Sequence, residues 1–115
     1  SGWDRRVIAV FQPHRYTRIR DLMDEFFRCF YQADKLIVTD IYPAGEKPIE
    51  GIHAEKLYEG ILHHGHRDVH YIKDLKEIAA FLTTHTRSGD MVITLGAGNI
   101  WKVGDMLAEK LGRQK

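Results

Sequence analysis

Four basic side chains crowd one short stretch of the sequence: His14, Arg15, Arg18 and Arg20, within VIAVFQPHRYTRIR. The apolar run Val7 to Phe11 stops at Gln12-Pro13. A helical pattern begins directly after the basic turn, with Ile19, Leu22, Met23, Phe26, Phe27 and Phe30 on one face. The arginines therefore fall at a helix N-terminus. That pole carries about half a positive charge, and a cation there costs about 0.3–1 kcal/mol. One arginine can relieve this by pointing into water. Arg15 and Arg18 together, beside open helix N–H groups and His14, point instead to an anion site. His14, tied to the same turn, is expected to act there as a hydrogen-bond partner.

A second stretch with chemical potential is LGAGN, holding Gly96, Ala97 and Gly98. Glycines let backbone N–H groups approach a carboxylate or phosphate at the start of a helix. They equally serve a close approach of helix and strand. The third glycine of a dinucleotide fingerprint is missing, and so is the Lys-Ser/Thr pair of a P-loop. The chain thus has no nucleotide-hydrolysing loop of its own. Asp40 and Glu46 are the acids expected near these residues, to bind a hydroxyl or a cation or to solvate their loop. His63, His64, His66 and His70 lie close together in sequence, but no carboxylate or cysteine pattern with ligand spacing accompanies them. No metal site is assigned.

Positioning these groups falls to a regular alternation. KLIVT, from Lys35 to Thr39, reads as a second strand, followed by the long polar loop IYPAGEKPIEGI. Loops of that length in compact domains are often functional. Leu57, Tyr58, Ile61 and Leu62 give the next helix, with Gly65 as its stop. Val69 to Ile72 is a third strand. Asp74 can cap a helix carrying Leu75, Ile78, Ala79 and Leu82, with Glu77 placed as in a capping box. Ser88-Gly89-Asp90 is turn chemistry, and Met91 to Leu95 is a fourth strand. Asn99 can cap a last helix with Ile100, Val103, Leu107 and Leu111 on one face. Short apolar strands without in/out alternation predict a parallel sheet covered on both faces. The fold class is α/β: an open, mainly parallel sheet flanked by helices, Rossmann-like, with four strands alternating with four helices. Residues 1–115 form a single domain. In such a sheet the binding crevice lies beyond the carboxyl ends of the strands. Gln12 to Arg18, Asp40 to Glu46 and Gly96 to Asn99 should therefore share one edge.

Composition narrows the partners. The chain has 115 residues, 43% hydrophobic and 29% charged, with a formal net charge of +1. That charge gives no global field for nucleic acid or an anionic membrane. No apolar run approaches the ~18 residues of a membrane span. The one cysteine, Cys29, cannot form an internal disulfide, which suits a reducing, cytoplasmic setting, and its apolar neighbours make it a packing residue. Trp3 and Trp101 are read as packing residues too.

FQPHRYTRIRDL, DIYPAGEKPIEG and GDMVITLGAGNIWKVG together closely resemble the C-terminal domain of the Mur ligases. The blocks stand in the family's order and span essentially the whole chain. The resemblance is closest to the branch that joins L-alanine to UDP-N-acetylmuramate in peptidoglycan synthesis. It implies a cytoplasmic, ATP- and Mg2+-dependent amide ligase. ATP phosphorylates the lactyl carboxylate to an acyl phosphate, which the amino group of alanine attacks. It implies that His14, Arg15 and Arg18 contact anionic substrates, and that Gly96, Ala97 and Gly98 form a turn near the amino-acid pocket. ATP and Mg2+ would be bound mainly outside this chain: a central domain would carry the P-loop and magnesium ligands and an N-terminal domain would hold the UDP-sugar, and both are absent here. The family's preceding strand and its Tyr-(Ala/Gly)-His-His-Pro segment are absent as well. The chain is thus expected to be a fragment that does not turn over alone, with an exposed sheet edge or gap open to self-association. The alternative is a free-standing flavodoxin-like module that binds a small molecule or an anion.

Overall fold

The structure is a computed structural model describing residues 5–96 and 98–113. The expected alternation is present: β1 (Val7–Phe11), α1 (Tyr16–Arg28), β2 (Lys35–Val38), α2 (Ala54–His63), β3 (Val69–Tyr71), α3 (Leu75–His85), β4 (Met91–Leu95) and α4 (Trp101–Arg113). The strands form one parallel sheet in the order β3-β2-β1-β4. The first three strands step in one direction and β4 returns to the other side of β1. The order therefore reverses between β1 and β4, the place where open α/β sheets bind ligands.

The period of two along the strands divides the core into two layers. Ala9, Phe11, Leu36 and Val38 face α1 and α2, meeting Ile19, Phe30, Leu57 and Ile61. Ile8, Val10 and Ile37 face α3 and α4, meeting Ile78, Leu82, Ile100, Val103 and Leu107. Each fully buried aliphatic side chain contributes about 1.5–3 kcal/mol relative to exposure. The central strands are thus apolar on both faces because both faces are covered.

β4 departs from that expectation. Val92 packs on the α3/α4 layer, but Met91, Ile93 and Leu95 on the other face remain 37–40% exposed. An exposed apolar face therefore runs along this edge strand. Cys29 also departs: it caps the C-terminal end of α1, exposed, instead of packing in the core. Trp101 opens α4 and is 57% exposed, while Trp3 lies outside the described residues.

Polar pairs pin the amino ends of the strands. Arg6, just before β1, bonds Asp90, just before β4, at 2.7 Å, and also donates to the His85 carbonyl. Asp90 accepts in addition from the Arg87 N–H. The Arg6 guanidinium holds the Asp90 carboxyl below the usual carboxylate range. Asp74 caps α3 by accepting from the Lys76 N–H, as its position predicts. Three of the four clustered histidines are hydrogen-bonded within the fold. His66 is buried, with Nε2 on the Ala33 carbonyl and Nδ1 accepting from the Asp68 N–H. His70 bonds Asp68, and His64 bonds the Gly60 carbonyl.

Replacing Ile37, which is fully buried in a central strand, is expected to be costly. Ile37→Ala should lose about 2–5 kcal/mol in denaturant unfolding with an unchanged slope. Leu62→Ala, at a site 46% exposed, should stay within about 0.5 kcal/mol. The Asp90 contribution is complete above its unfolded pKa near 4 and is lost as pH falls through the lower folded value. The melting temperature should therefore fall more steeply on acidification below about pH 4 in the parent than in Asp90→Asn. Parallel curves for the two proteins would contradict this.

Candidate functional site

The three expected stretches do meet, at the carboxyl edge over the β1/β4 reversal. The tie between the first two is a backbone bridge between His14 and Tyr42. The Tyr42 N–H donates to the Pro13 carbonyl, and the Arg15 N–H donates to the Tyr42 carbonyl, both at 2.8 Å. The His14 ring stacks on the Tyr42 ring at 6.0 Å and 11°. The third stretch joins through Gln12. Its N–H donates to the Leu95 carbonyl, and its buried side chain donates from Nε2 to Asn99 Oδ1 at 2.8 Å. The expected cap of the last helix thus spends its side-chain oxygen on Gln12.

The structure shows close packing at the glycines, one of the two readings the sequence offers. A Cβ on Gly98 would lie 2.5 Å from Tyr42 Cγ and 2.7 Å from Gln12 Oε1. A Cβ on Gly96, where φ is 151°, would lie 3.0 Å from the Gln12 carbonyl oxygen. Gln12, Tyr42 and Ile100 occupy the space that a side chain at these two positions would need. Ala97 lies outside the described residues.

The helix end is where structure and expectation part most. Arg15 occupies the N-cap of α1 with φ 68° and ψ 139°, and its side chain makes no capping bond. A left-handed conformation costs a residue with a Cβ on the order of 1–2 kcal/mol. The first helical turn contains no acid. The N–H groups of Tyr16 and Thr17 are nevertheless bonded within the chain. Glu46 Oε1 accepts from the N–H of Tyr16 at 2.7 Å and of Thr17 at 3.2 Å, and Oε2 accepts from Thr17 Oγ1 at 2.6 Å. The Thr17 hydroxyl bond is the main influence holding this carboxyl below its ordinary range, with the two N–H bonds and Arg15 acting in the same direction. The carboxylate thus stabilises the positive pole that the sequence offered to an external anion.

Glu46 reaches that position by a tight reversal. Ala44 and Gly45 have φ 52° and 89°, and the Glu46 N–H donates to the Pro43 carbonyl at 3.0 Å. Two successive positive φ values make this a turn of the mirror-image kind, which glycine accepts and alanine does not favour.

Arg15 and Arg18 are exposed, and neither has a carboxylate within ion-pair distance among the described residues. Arg20 is also exposed, paired with Asp21. Arg18 and His14 border a cleft of about 470 Å³ whose other walls are Phe11, Gln12, Leu22, Phe26 and Gly96. Leu22 sits where the helix path breaks, at φ −118° and ψ 18°. The cleft therefore joins an apolar floor to a cationic rim, a surface fitted to an anion with an apolar body. Asp40 is not part of it. Its carboxylate accepts a short hydrogen bond from the Tyr71 hydroxyl, with Lys73 at 4.0 Å, in a separate cleft with His53 and Glu55. Burial, and then that carboxylate, push the Tyr71 hydroxyl above its ordinary range.

Gln12, Tyr42 and Thr17 were not singled out in the sequence. The usable signal was an N-terminal turn of α1 without any capping residue, which requires a cap from elsewhere.

Gly98→Ala is expected to cost about 1–3 kcal/mol by overpacking against Tyr42. Gly104→Ala, in α4 with nothing within 4 Å, is expected to be neutral or to stabilise by up to about 1 kcal/mol. Equal denaturant midpoints for the two would contradict the packing described.

A family model described as "Mur ligase, glutamate ligase domain" matches residues 1–98. Among curated proteins, the UDP-N-acetylmuramate--L-alanine ligase of Syntrophotalea carbinolica is 60% identical over 111 residues, 96% of this chain. The protein of the same name from Geotalea uraniireducens is 59% identical, and that from Geobacter sulfurreducens 54%, each over 96% of this chain. The chain spans about a quarter of these relatives, 24% of each.

Proposed function

Because this chain belongs to the Mur ligase family, matching its glutamate ligase domain, we propose that it is the C-terminal domain of a ligase joining L-alanine to UDP-N-acetylmuramate. In this reading ATP converts the sugar's carboxylate to an acyl phosphate, and the alanine amino group attacks it. Residues 1–115 act as one domain of a cytoplasmic enzyme of peptidoglycan synthesis. Its partners are the N-terminal and central domains of the same enzyme.

The observation that carries this reading is the pair of unpaired arginines over the β1/β4 reversal. The helix end behind them is already neutralised by Glu46. Arg15 and Arg18 are therefore free to take charge from outside the chain. A carboxylate, an acyl phosphate and a transferring phosphoryl group are anions that preorganised guanidinium groups stabilise strongly. His14, held flat against Tyr42, offers a ring nitrogen beside them. Gly96 and Gly98 support the site by letting Gln12 and Tyr42 close on the last turn; Ala97 is assigned to the same turn.

ATP and Mg2+ are assigned to the rest of the enzyme. No group of three or more His, Cys, Asp or Glu among the described residues is disposed to hold a metal ion. The chain also has no Gly-rich loop ending in Lys-Ser/Thr. No helix of the described residues is long and apolar enough to cross a membrane.

Arg18→Ala tests the reading. The isolated chain should keep its stability or gain up to about 0.3–1 kcal/mol, since a cation leaves the positive end of a helix. The full-length ligase should lose about a hundredfold or more in phosphate release from ATP with UDP-N-acetylmuramate and L-alanine. A destabilised chain with an unimpaired ligase would make Arg18 structural. The isolated chain is expected to release no phosphate from this mixture.

A further inference from the structure

The loop between β2 and α2 holds Arg15 from both sides. Ahead of it, the Tyr42 carbonyl accepts from the Arg15 N–H. Behind it, Glu46 accepts from the N–H groups of Tyr16 and Thr17 and from the Thr17 hydroxyl. The contacts therefore bracket the one residue of α1's entry that has a left-handed backbone. An arginine at an N-cap provides no cap of its own, so its presence there is intelligible only if another group supplies one. Glu46 comes from 30 positions along the chain, through a turn that is itself in a left-handed conformation at Ala44 and Gly45.

We propose that Glu46 is a positioning residue: its carboxylate occupies the anion-attracting end of α1, fixes Arg15 in its left-handed conformation, and thereby leaves substrate anions to the Arg15 and Arg18 side chains. The inference rests on the reading of those arginines as the anion contacts. Glu46 itself touches no substrate. It acts through the direction in which Arg15 leaves the backbone and through the angle at which α1 carries Arg18 to the cleft. A carboxylate at the helix end also repels an anion that would otherwise settle on the amides, away from the reacting groups.

The test uses the full-length ligase, with KM and kcat measured separately for L-alanine, UDP-N-acetylmuramate and ATP. Glu46→Ala is expected to raise KM for at least one of these by about tenfold or more, because small displacements of a positioning group carry large kinetic costs. Glu46→Gln keeps an oxygen for the two N–H groups and an amide to meet the Thr17 hydroxyl, and it should recover part of that loss. Thr17→Val removes only the hydroxyl bond and should give a smaller rise in KM; with Glu46→Gln it carries the test if Glu46→Ala fails to fold. Two results overturn the proposal. Unchanged KM values in every folded variant would make Glu46 a cap and nothing more. A fall in KM for an anionic substrate in Glu46→Gln would show that the helix amides are the anion site and that Glu46 competes for it. Arg18→Ala, assayed beside these, isolates the underlying reading: unchanged kinetics there remove the arginine site, whatever the Glu46 variants do.

Discussion

The carboxylate of Glu46 on the first turn of α1 is the interaction on which the arrangement of this edge depends. A helix begins with N–H groups that have no partner within the helix and with a partial positive charge. Here the entry to that helix is also basic and carries a left-handed arginine. Each of these features is locally unfavourable, and one acidic side chain from a distant loop offsets them together. The bonds it accepts are directed and charge-assisted. With them in place, Arg15 and Arg18 can remain exposed and without a carboxylate partner among the described residues while the Tyr16 and Thr17 amides are satisfied.

The rest of the edge follows from holding that loop in place. Tyr42 forms a backbone bridge to β1's extension, stacks on His14 and lies against Gly98. Gln12 crosses from the end of β1 to Asn99. The reversal of strand order between β1 and β4 brings these ends side by side, and the parallel sheet beneath is rigid because both layers of the core pack its central strands. Arg6 with Asp90 does the corresponding work at the opposite end of the same two strands. The cationic rim is thus carried by a frame whose two ends are separately pinned, while the apolar cleft beneath it stays open.

The elements and the sheet were legible because their signals are local. Ile19 to Phe30 repeat with helical spacing, VIAVF and MVITL read as strands, and Asp74 precedes its helix as a cap should. The convergence of three loops followed from topology alone, since parallel strands put their carboxyl ends on one edge. What could not be read was set by contacts distant in sequence. The role of Glu46, open in sequence between binding a hydroxyl or a cation and solvating its loop, could not be fixed because nothing near it in sequence needs a carboxylate; the need lies at Tyr16 and Thr17. Asn99 looked like a cap, but Gln12 claims its side-chain oxygen. Gly98 offered two readings that only the position of Tyr42 could separate. Cys29 and Trp101 have apolar neighbours in sequence, yet each sits where the helix surface faces water. The β4 strand, apolar at every position but Thr94, hid the fact that one of its faces is bare.

The amides of Tyr16 and Thr17 that open α1 are bonded to Glu46 and not exposed for a ligand. Amide hydrogen exchange at Tyr16 and Thr17 tests this bonding most directly, in the chain without substrate, read against Glu46→Gln. Exchange at both amides is expected to be slow, comparable to the interior of α1, and faster at both in the variant. Exchange at both positions as fast as in an unstructured loop, and indifferent to the substitution, would contradict it.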